Sequence, residues 1–198
     1  DATAPVVHLG VLAASFGGCL DVRAVQAVVQ RLMQTDPDAI QSLWQVGSTF
    51  AAQDAQNRAI GYFLAFALLA ADTNAAADAW YNAGVCAEKS GSRERAGQYY
   101  RAALEKKTNH ELALGNTALL LLKAGKRAES LEAFRKALRI VPGSLVLKEN
   151  YASVLAQDGK PQEAVVILQE VLTVEPGRRF ASVLLAQIQQ QIQSGKRQ

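Results

Sequence analysis

A 34-residue period in the second half of the chain limits the possible folds more than any other feature of the sequence. Glycine, asparagine, aromatic, small apolar and proline positions all keep the same step. The agreement of five columns in one register predicts a tandem repeat in which each unit buries its apolar faces against its neighbours. The columns are Gly91, Gly125 and Gly159; Asn82, Asn116 and Asn150; Tyr100, Phe134 and Leu168; Ala103, Ala137 and Val171; and Pro142 and Pro176.

Each repeat contains two amphipathic runs. In the unit over residues 77–110, apolar residues recur at the 3.6-residue spacing of a helix, first over 80–87 and again over 96–104. Gly91 lies between the two runs and can adopt the left-handed conformation that ends a helix. The prolines near the unit ends stop the second helix, because the residue before a proline is displaced from helical geometry. The pattern predicts a helix-turn-helix unit.

These residues resemble the tetratricopeptide repeat family. In that family the first helix carries a Trp, Leu, Gly, aromatic pattern, and the second helix carries Ala, an aromatic residue, Ala and then Pro. The resemblance implies an all-α fold, a right-handed α-solenoid of tandem helix-turn-helix repeats with a C-terminal capping helix. The matching residues of the unit over 77–110 are Trp80, Ala83, Gly84 and Ala87, then Ala96, Tyr100, Ala103 and, in place of the proline, Thr108.

The resemblance divides the chain, taken as one array, into successive units. The unit from residue 40 is 37 residues long because of the stretch 71–77, for which an extra turn of helix and a longer loop are the two alternatives. The predicted units are approximately 6–39, 40–76, 77–110, 111–144 and 145–178, followed by a capping helix over 179–195.

The two ends of the array differ in polarity. In the capping helix one apolar face is predicted to pack on the last repeat, and the glutamines make the other side polar. The apolar segment Pro5–Phe16 has no polar cap before it. This segment is therefore expected to pack on residues outside this chain or on a second molecule, which would give self-association. The packed face of the capping helix is predicted to contain Phe180, Leu184, Leu185, Ile188 and Ile192.

Composition limits the other possibilities. Of 198 residues, 49% are hydrophobic and 20% charged, which is enough apolar material for a compact core. Cys19 and Cys86 lack the spacing of a zinc site, so they are predicted to be buried apolar residues, and no metal or cofactor is expected. No apolar run reaches the roughly 18 residues of a membrane span. The chain begins at Asp1 without an initiator methionine and is expected to be a segment of something longer. Its expected location is the cytoplasm, with the periplasm or another exported compartment as the alternative.

The resemblance places function in a concave groove lined by the first helices. Positions 2, 5, 6, 9, 12 and 13 of each first helix line it in the family. The column Asn82, Asn116 and Asn150 falls at position 6, and Gln45 occupies that position in the preceding unit. A primary amide offers both a donor and an acceptor, so it can pair with the main chain of an extended peptide. The alternative is that asparagine is simply the common residue at this position.

Other residues would give the groove an apolar floor and a charged rim. A ligand with apolar side chains and an extended or helical backbone suits such a surface. The alternative is that some of these side chains pack between neighbouring helices. The predicted floor is Trp44, Tyr81, Val85, Leu112, Leu119, Leu122 and Val146, and the predicted rim is Glu88, Lys89, Lys123 and Glu149.

The sequence favours no catalytic or nucleic-acid function. His8 and His110 lie far apart, His110 is expected to be a solvated loop residue, and no GxSxG, HExxH, P-loop or GxGxxG string occurs. The basic residues of the second half alternate with acidic ones on the predicted second helices, so no phosphate-binding stripe is expected. The cations with which some members of the family bind a chaperone's C-terminal carboxylate are absent from the corresponding positions.

The predicted function is therefore that of a protein-interaction module or scaffold, not an enzyme, which binds a peptide or partner protein in its groove. Two alternatives remain open: a substrate-recognition domain of a larger, glycosyltransferase-like enzyme, and a secretion-type chaperone.

Overall fold

The computed structural model describes residues 39–195, and this part of the chain is all-α. Residues 6–38 of the first predicted repeat, with the segment Pro5–Phe16 and Cys19, lie outside the described residues. Consecutive helices are joined by short turns, a connection typical of antiparallel neighbours. The helices are α1 (Ala39–Ala52), α2 (Gln56–Leu69), α3 (Thr73–Lys89), α4 (Arg93–Lys106), α5 (Glu111–Lys123), α6 (Arg127–Ile140), α7 (Leu145–Gln157), α8 (Pro161–Val174) and α9 (Arg179–Gly195).

The glycine turns adopt the predicted left-handed conformation. Gly91, Gly125 and Gly159 have φ angles of 84°, 78° and 75°. The amide after each glycine donates a hydrogen bond to a carbonyl five residues earlier, as in the Schellman ending of a helix. The α1–α2 turn has no glycine, and Asp54 takes the same place with a φ of 59°. The repeat turn therefore persists where its usual residue is missing.

The longer second unit is explained by an extra turn of helix. Helix α3 has 17 residues, whereas α5 and α7 have 13 each. It begins at Thr73, where the Asp72 side chain accepts a hydrogen bond from the amide of Asn74 at 2.7 Å. An N-cap of this kind satisfies one of the donors left free at a helix start. Of the two alternatives for 71–77, the structure has the helical one, and the repeat boundaries themselves stay a prediction.

The chain divides into two compact units, residues 1–113 and 114–198, and the division falls within α5. We call them unit 1 and unit 2. In the described part of unit 1, α1 packs on α2, α2 on α3 and α3 on α4. Gly84 permits the last of these contacts, because a Cβ at this position would overlap the ring of Tyr100. The buried core of unit 1 includes Leu43, Tyr62, Ala65, Phe66, Ala67 and Ala79.

In unit 2, α6 packs on α7, α7 on α8, and α9 on both α8 and α7. The predicted packed face of α9 is partly wrong, because Phe180 is 55% exposed. Ala181 is fully buried in its place, since the buried stripe of α9 passes through Ala181, Leu185 and Ile188 and leaves Phe180 at its edge. The buried core of unit 2 includes Phe134, Leu147, Tyr151, Leu155, Leu168, Val171 and Ile188.

Candidate functional site

Helix α1 supplies two of the predicted groove residues, and they differ in environment. The Trp44 ring meets Phe63 and Phe66 edge-on, with ring centroids 5.5 and 5.2 Å apart. It is half-buried and packs on the core of unit 1. Gln45 is exposed. Trp44 therefore stabilises the packing of unit 1, and only the remainder of its surface is accessible to a ligand.

Helix α3 carries most of the predicted groove residues of unit 1. Tyr81, Asn82 and Val85 lie within one turn of each other and are half-buried, and Lys89 follows one turn later and is exposed. The Tyr81 ring contacts the rings of Tyr100 and His110, with centroids 5.8 and 5.1 Å away. These two neighbours hold Tyr81 in place. We call Tyr81, Asn82, Val85 and the adjacent Asp78 the α3 face.

The expectation that His110 is a solvated loop residue is wrong. Its residue surface is 5% exposed, and its ring accepts a hydrogen bond at Nδ1 from the amide of Ala113 at 3.2 Å. It thereby caps the start of α5, while its Nε2 lies 3.0 Å from Oδ1 of Asp78. Because Nδ1 accepts, the ring proton lies on Nε2, and the imidazole in this arrangement is neutral. The short α4–α5 turn places the ring against Tyr81 instead of in solvent.

Asp78 is a candidate functional residue that the groove prediction did not name. Its side chain is 53% exposed although one carboxylate oxygen accepts the hydrogen bond from His110. It lies one helical turn before Asn82, where α-helical geometry puts the two side chains on the same face. The signal was available in the sequence, since Asp78 occupies position 2 of its first helix.

The two rim residues at the end of α3 differ in their surroundings. Glu88 is half-buried, and its Oε2 accepts a hydrogen bond from the Tyr100 hydroxyl at 3.0 Å. Lys89 lines a polar cavity of about 360 Å³ together with Ser90 and residues 54–58 of the α1–α2 turn. Cys86, also on α3, is buried as predicted, and this burial raises the pKa of its thiol to about 11.

In unit 2 the predicted residues lie on α5 and α7. Asn116, Leu119 and Asn150 are half-buried, and Lys123 is exposed. Gly115 allows α5 to approach α7 closely, because a Cβ there would stand 3.2 Å from Cδ2 of Leu147 and 3.9 Å from Nδ2 of Asn150. Asn150 thus lies beside Gly115, the residue before Asn116 on α5.

Two further floor positions differ from each other in exposure. Leu119 packs on the core of unit 2 and is only partly available to a ligand. Leu112, at the start of α5, is an exposed apolar side chain.

The prediction that Glu149 belongs to the charged rim of the groove is wrong. Its side chain is 6% exposed and accepts two hydrogen bonds from Arg178, Nε to Oε1 at 2.8 Å and Nη2 to Oε2 at 2.7 Å. These bonds raise the pKa of the Arg178 guanidinium above its usual value. A paired, bidentate geometry is what makes a buried carboxylate tolerable. Glu149 therefore stabilises the α8–α9 junction and is unavailable to a ligand.

Within residues 39–195 no group of three or more His, Cys, Asp or Glu side chains could hold a metal ion. In the same part of the chain, every helix is too short or too polar to cross a bilayer.

Comparison with known proteins gives consistent matches. Models described as tetratricopeptide repeat match residues 77–109 and 121–188, together about half of the chain. No curated protein matches the sequence. A crystal structure of MamA is 23% identical and has a TM-score of 0.58, with 77% of this chain and 87% of that chain covered. A second MamA structure is 22% identical with a TM-score of 0.57, and 88% and 92% are covered.

The crystal structure of YrrB, described as a TPR protein with an unusual peptide-binding site, is also similar. It is 20% identical to this chain and has a TM-score of 0.56, with 91% of this chain and 90% of that chain covered. At these identities the likeness concerns the fold. With the family models and the glycine turns, it leads to one assignment: the chain belongs to the tetratricopeptide repeat family.

Proposed function

We propose that this chain is a protein-interaction module that holds a peptide, or an extended segment of a partner protein, on the faces of its first helices. The observation that carries the proposal is the amide column. Asn82, Asn116 and Asn150 occupy the same position of three successive first helices, and all three are half-buried. A half-buried amide is held in place by its surroundings yet can still pair with the N–H and C=O groups of a ligand main chain.

The fold comparison supports this proposal. YrrB, which is described as having a peptide-binding site, shares the fold. Neither the family descriptions nor the names of the similar structures mention a glycosyltransferase or a secretion chaperone, so neither alternative is favoured.

We further propose a protein ligand rather than a nucleic acid, no catalytic role, and a cytoplasmic location. Cations such as Arg135 and Arg139 are already paired with Glu132, which leaves less charge for phosphates. The free thiol of Cys86 suits a reducing compartment.

The test is an affinity pull-down with the full chain and two triple variants. The first carries Asn82→Ala, Asn116→Ala and Asn150→Ala. The matched control carries Gln98→Ala, Gln169→Ala and Gln190→Ala, which remove three exposed amides on α4, α8 and α9. Circular dichroism first checks that all three proteins are equally helical.

We expect partners retained by the wild type and the control to be lost from the asparagine variant. Partners retained by all three proteins would contradict the amide column as the binding element. Such a result would move the search to the second helices.

A further inference from the structure

We infer that the α3 face selects a ligand segment that carries a lysine or arginine side chain, and that Asp78 is the residue that pairs with this cation. The inference rests on the proposed function and specifies the chemistry of the peptide. Its basis is the combination of an uncompensated carboxylate, a fixed aromatic surface and the side-chain amide of Asn82 within two helical turns of α3.

The charge of Asp78 is not neutralised within the described part of the chain. Its one ion-pair partner in residues 39–195 is His110, and the accepted bond from the Ala113 amide keeps that ring neutral. A neutral Nε2–H donor orients the carboxylate without cancelling its charge. More than half of the side chain remains exposed. Asp78 therefore presents a fixed negative charge to solvent.

Tyr81 supplies the surface on which the aliphatic part of a basic side chain can lie. It is three residues after Asp78 on α3, a spacing that places the two side chains next to each other. Contacts with Tyr100 and His110 fix the ring, so little conformational entropy is lost when a ligand packs on it. Lysine and arginine bury their methylene groups on such a surface and keep the charged end accessible, here toward Asp78.

Asn82 completes the set. It follows Asp78 by one helical turn and can pair with the main chain of the same ligand residue or its neighbour. The ligand's main chain and its cation are then bound by adjacent side chains of one helix. An acidic ligand side chain at this place would be repelled by Asp78.

The experiment uses three fluorescein-labelled peptides, Gly-Ser-Leu-Ala-X-Ala-Leu-Ser-Gly, in which X is lysine, norleucine or glutamate. Fluorescence anisotropy measures their affinity for the full chain and for Asp78→Asn, which keeps an oxygen acceptor for His110 but removes the charge. The matched control is Glu105→Gln, which removes an exposed carboxylate from α4.

We expect the wild type and the control to bind the lysine peptide about fivefold more tightly than the norleucine peptide, as for a partly exposed ion pair. The glutamate peptide should bind most weakly. Asp78→Asn should remove the preference for lysine and leave the norleucine affinity unchanged, and added salt should reduce the preference in the wild type.

Two outcomes separate the failure of this inference from the failure of the proposed function. Equal affinity of the wild type for lysine and norleucine peptides, or an unchanged lysine preference in Asp78→Asn, would overturn the inference alone. Absence of binding by all three peptides, or binding that Asn82→Ala does not weaken, would overturn the proposed function and the inference together.

Discussion

His110 in unit 1 and Arg178 in unit 2 occupy the same position of the repeat, two 34-residue steps apart. They differ in their effect on the charge and exposure of a neighbouring carboxylate. Each lies in the turn after a second helix and reaches back to a carboxylate on the first helix of the same repeat. Arg178 carries a full positive charge and donates two hydrogen bonds to Glu149, and Glu149 is buried. His110 gives Asp78 one neutral donor, and Asp78 stays exposed.

Ser144, one step from each, also caps the helix that follows it. Its hydroxyl accepts a hydrogen bond from the amide of Leu147 at 2.9 Å and so caps α7, as the Nδ1 of His110 caps α5. The comparison shows that capping is one requirement of the junction and that the fate of the neighbouring carboxylate is another. An arginine at this position neutralises the neighbouring carboxylate within the fold, whereas a neutral histidine leaves the charge of that carboxylate available to a ligand.

The largest effect is expected from breaking the α8–α9 junction, where Arg178 pairs with the buried Glu149. Arg178→Met leaves Glu149 buried without its partner and should lower the free energy of unfolding by about 3 kcal/mol. Urea unfolding followed by circular dichroism measures this change. The double variant Arg178→Met with Glu149→Met should recover most of the loss, because no unpaired charge is then buried.

A control for position and charge is Lys148→Met, which breaks the more exposed pair between Lys148 and Glu170. It should cost less than about 1 kcal/mol. If the Arg178→Met variant were as mild as this control, Glu149 would not depend on its partner, and the contrast between the two junctions would disappear.

Substitutions at the α4–α5 junction, where Asp78 stays exposed, should lower the free energy of unfolding by less. The contribution of the helix cap should be separable there from that of the contacts with Asp78 and Tyr81. His110→Ala removes the cap, the bond to Asp78 and the ring contact with Tyr81, which predicts a loss of about 2 kcal/mol. His110→Ser should lose only about 1 kcal/mol, because a serine hydroxyl can cap α5 as Ser144 caps α7. Tryptophan fluorescence during urea unfolding reports on this unit, since Trp44 and Trp80 both lie in unit 1.

Equal losses for His110→Ala and His110→Ser would show that the cap contributes nothing, and the shared role of the two junction residues would be wrong. A loss in His110→Ser as small as that of a surface substitution would show that the reach to Asp78 and Tyr81 adds no stability.

The fold could be predicted because its determinants are local. The glycine turns, the 3.6-residue apolar spacing and the prolines each act within a few residues of chain, and all recur at one period. Even the irregular α1–α2 turn follows the same backbone geometry with Asp54 in place of glycine. The family resemblance then supplied the pairing of helices, which no single unit of sequence determines.

The junctions could not be predicted in the same way, because they depend on side chains about 30 residues apart. In sequence, His110 is a polar residue in a turn, and Glu149 is an acidic residue at a groove position. Only the packing of one helix pair on the next shows that the first is buried and the second neutralised. Whether the ring of His110 offsets the charge of Asp78 depends on whether Nδ1 carries a proton, and the hydrogen bond from the amide of Ala113 shows that Nδ1 is an acceptor.

The smallest predicted effect is the change in the free energy of unfolding at alkaline pH, which should differ between the two units. Burial raises the pKa of Cys86 in unit 1 from its ordinary 9.0 to about 11. The folded state therefore retains this proton where the unfolded state loses it, so the related stability is complete below pH 9 and declines as the pH rises toward 11. In unit 2, the raised pKa of Arg178 keeps the pair with Glu149 intact over the same range. Between pH 8 and about pH 9.7, the unfolding free energy followed by tryptophan fluorescence should fall by about 1 kcal/mol more in the wild type than in Cys86→Ala. Identical pH profiles of the two proteins would mean that the thiol of Cys86 ionises as easily in the fold as outside it, and that the core beneath the α3 face is open to water.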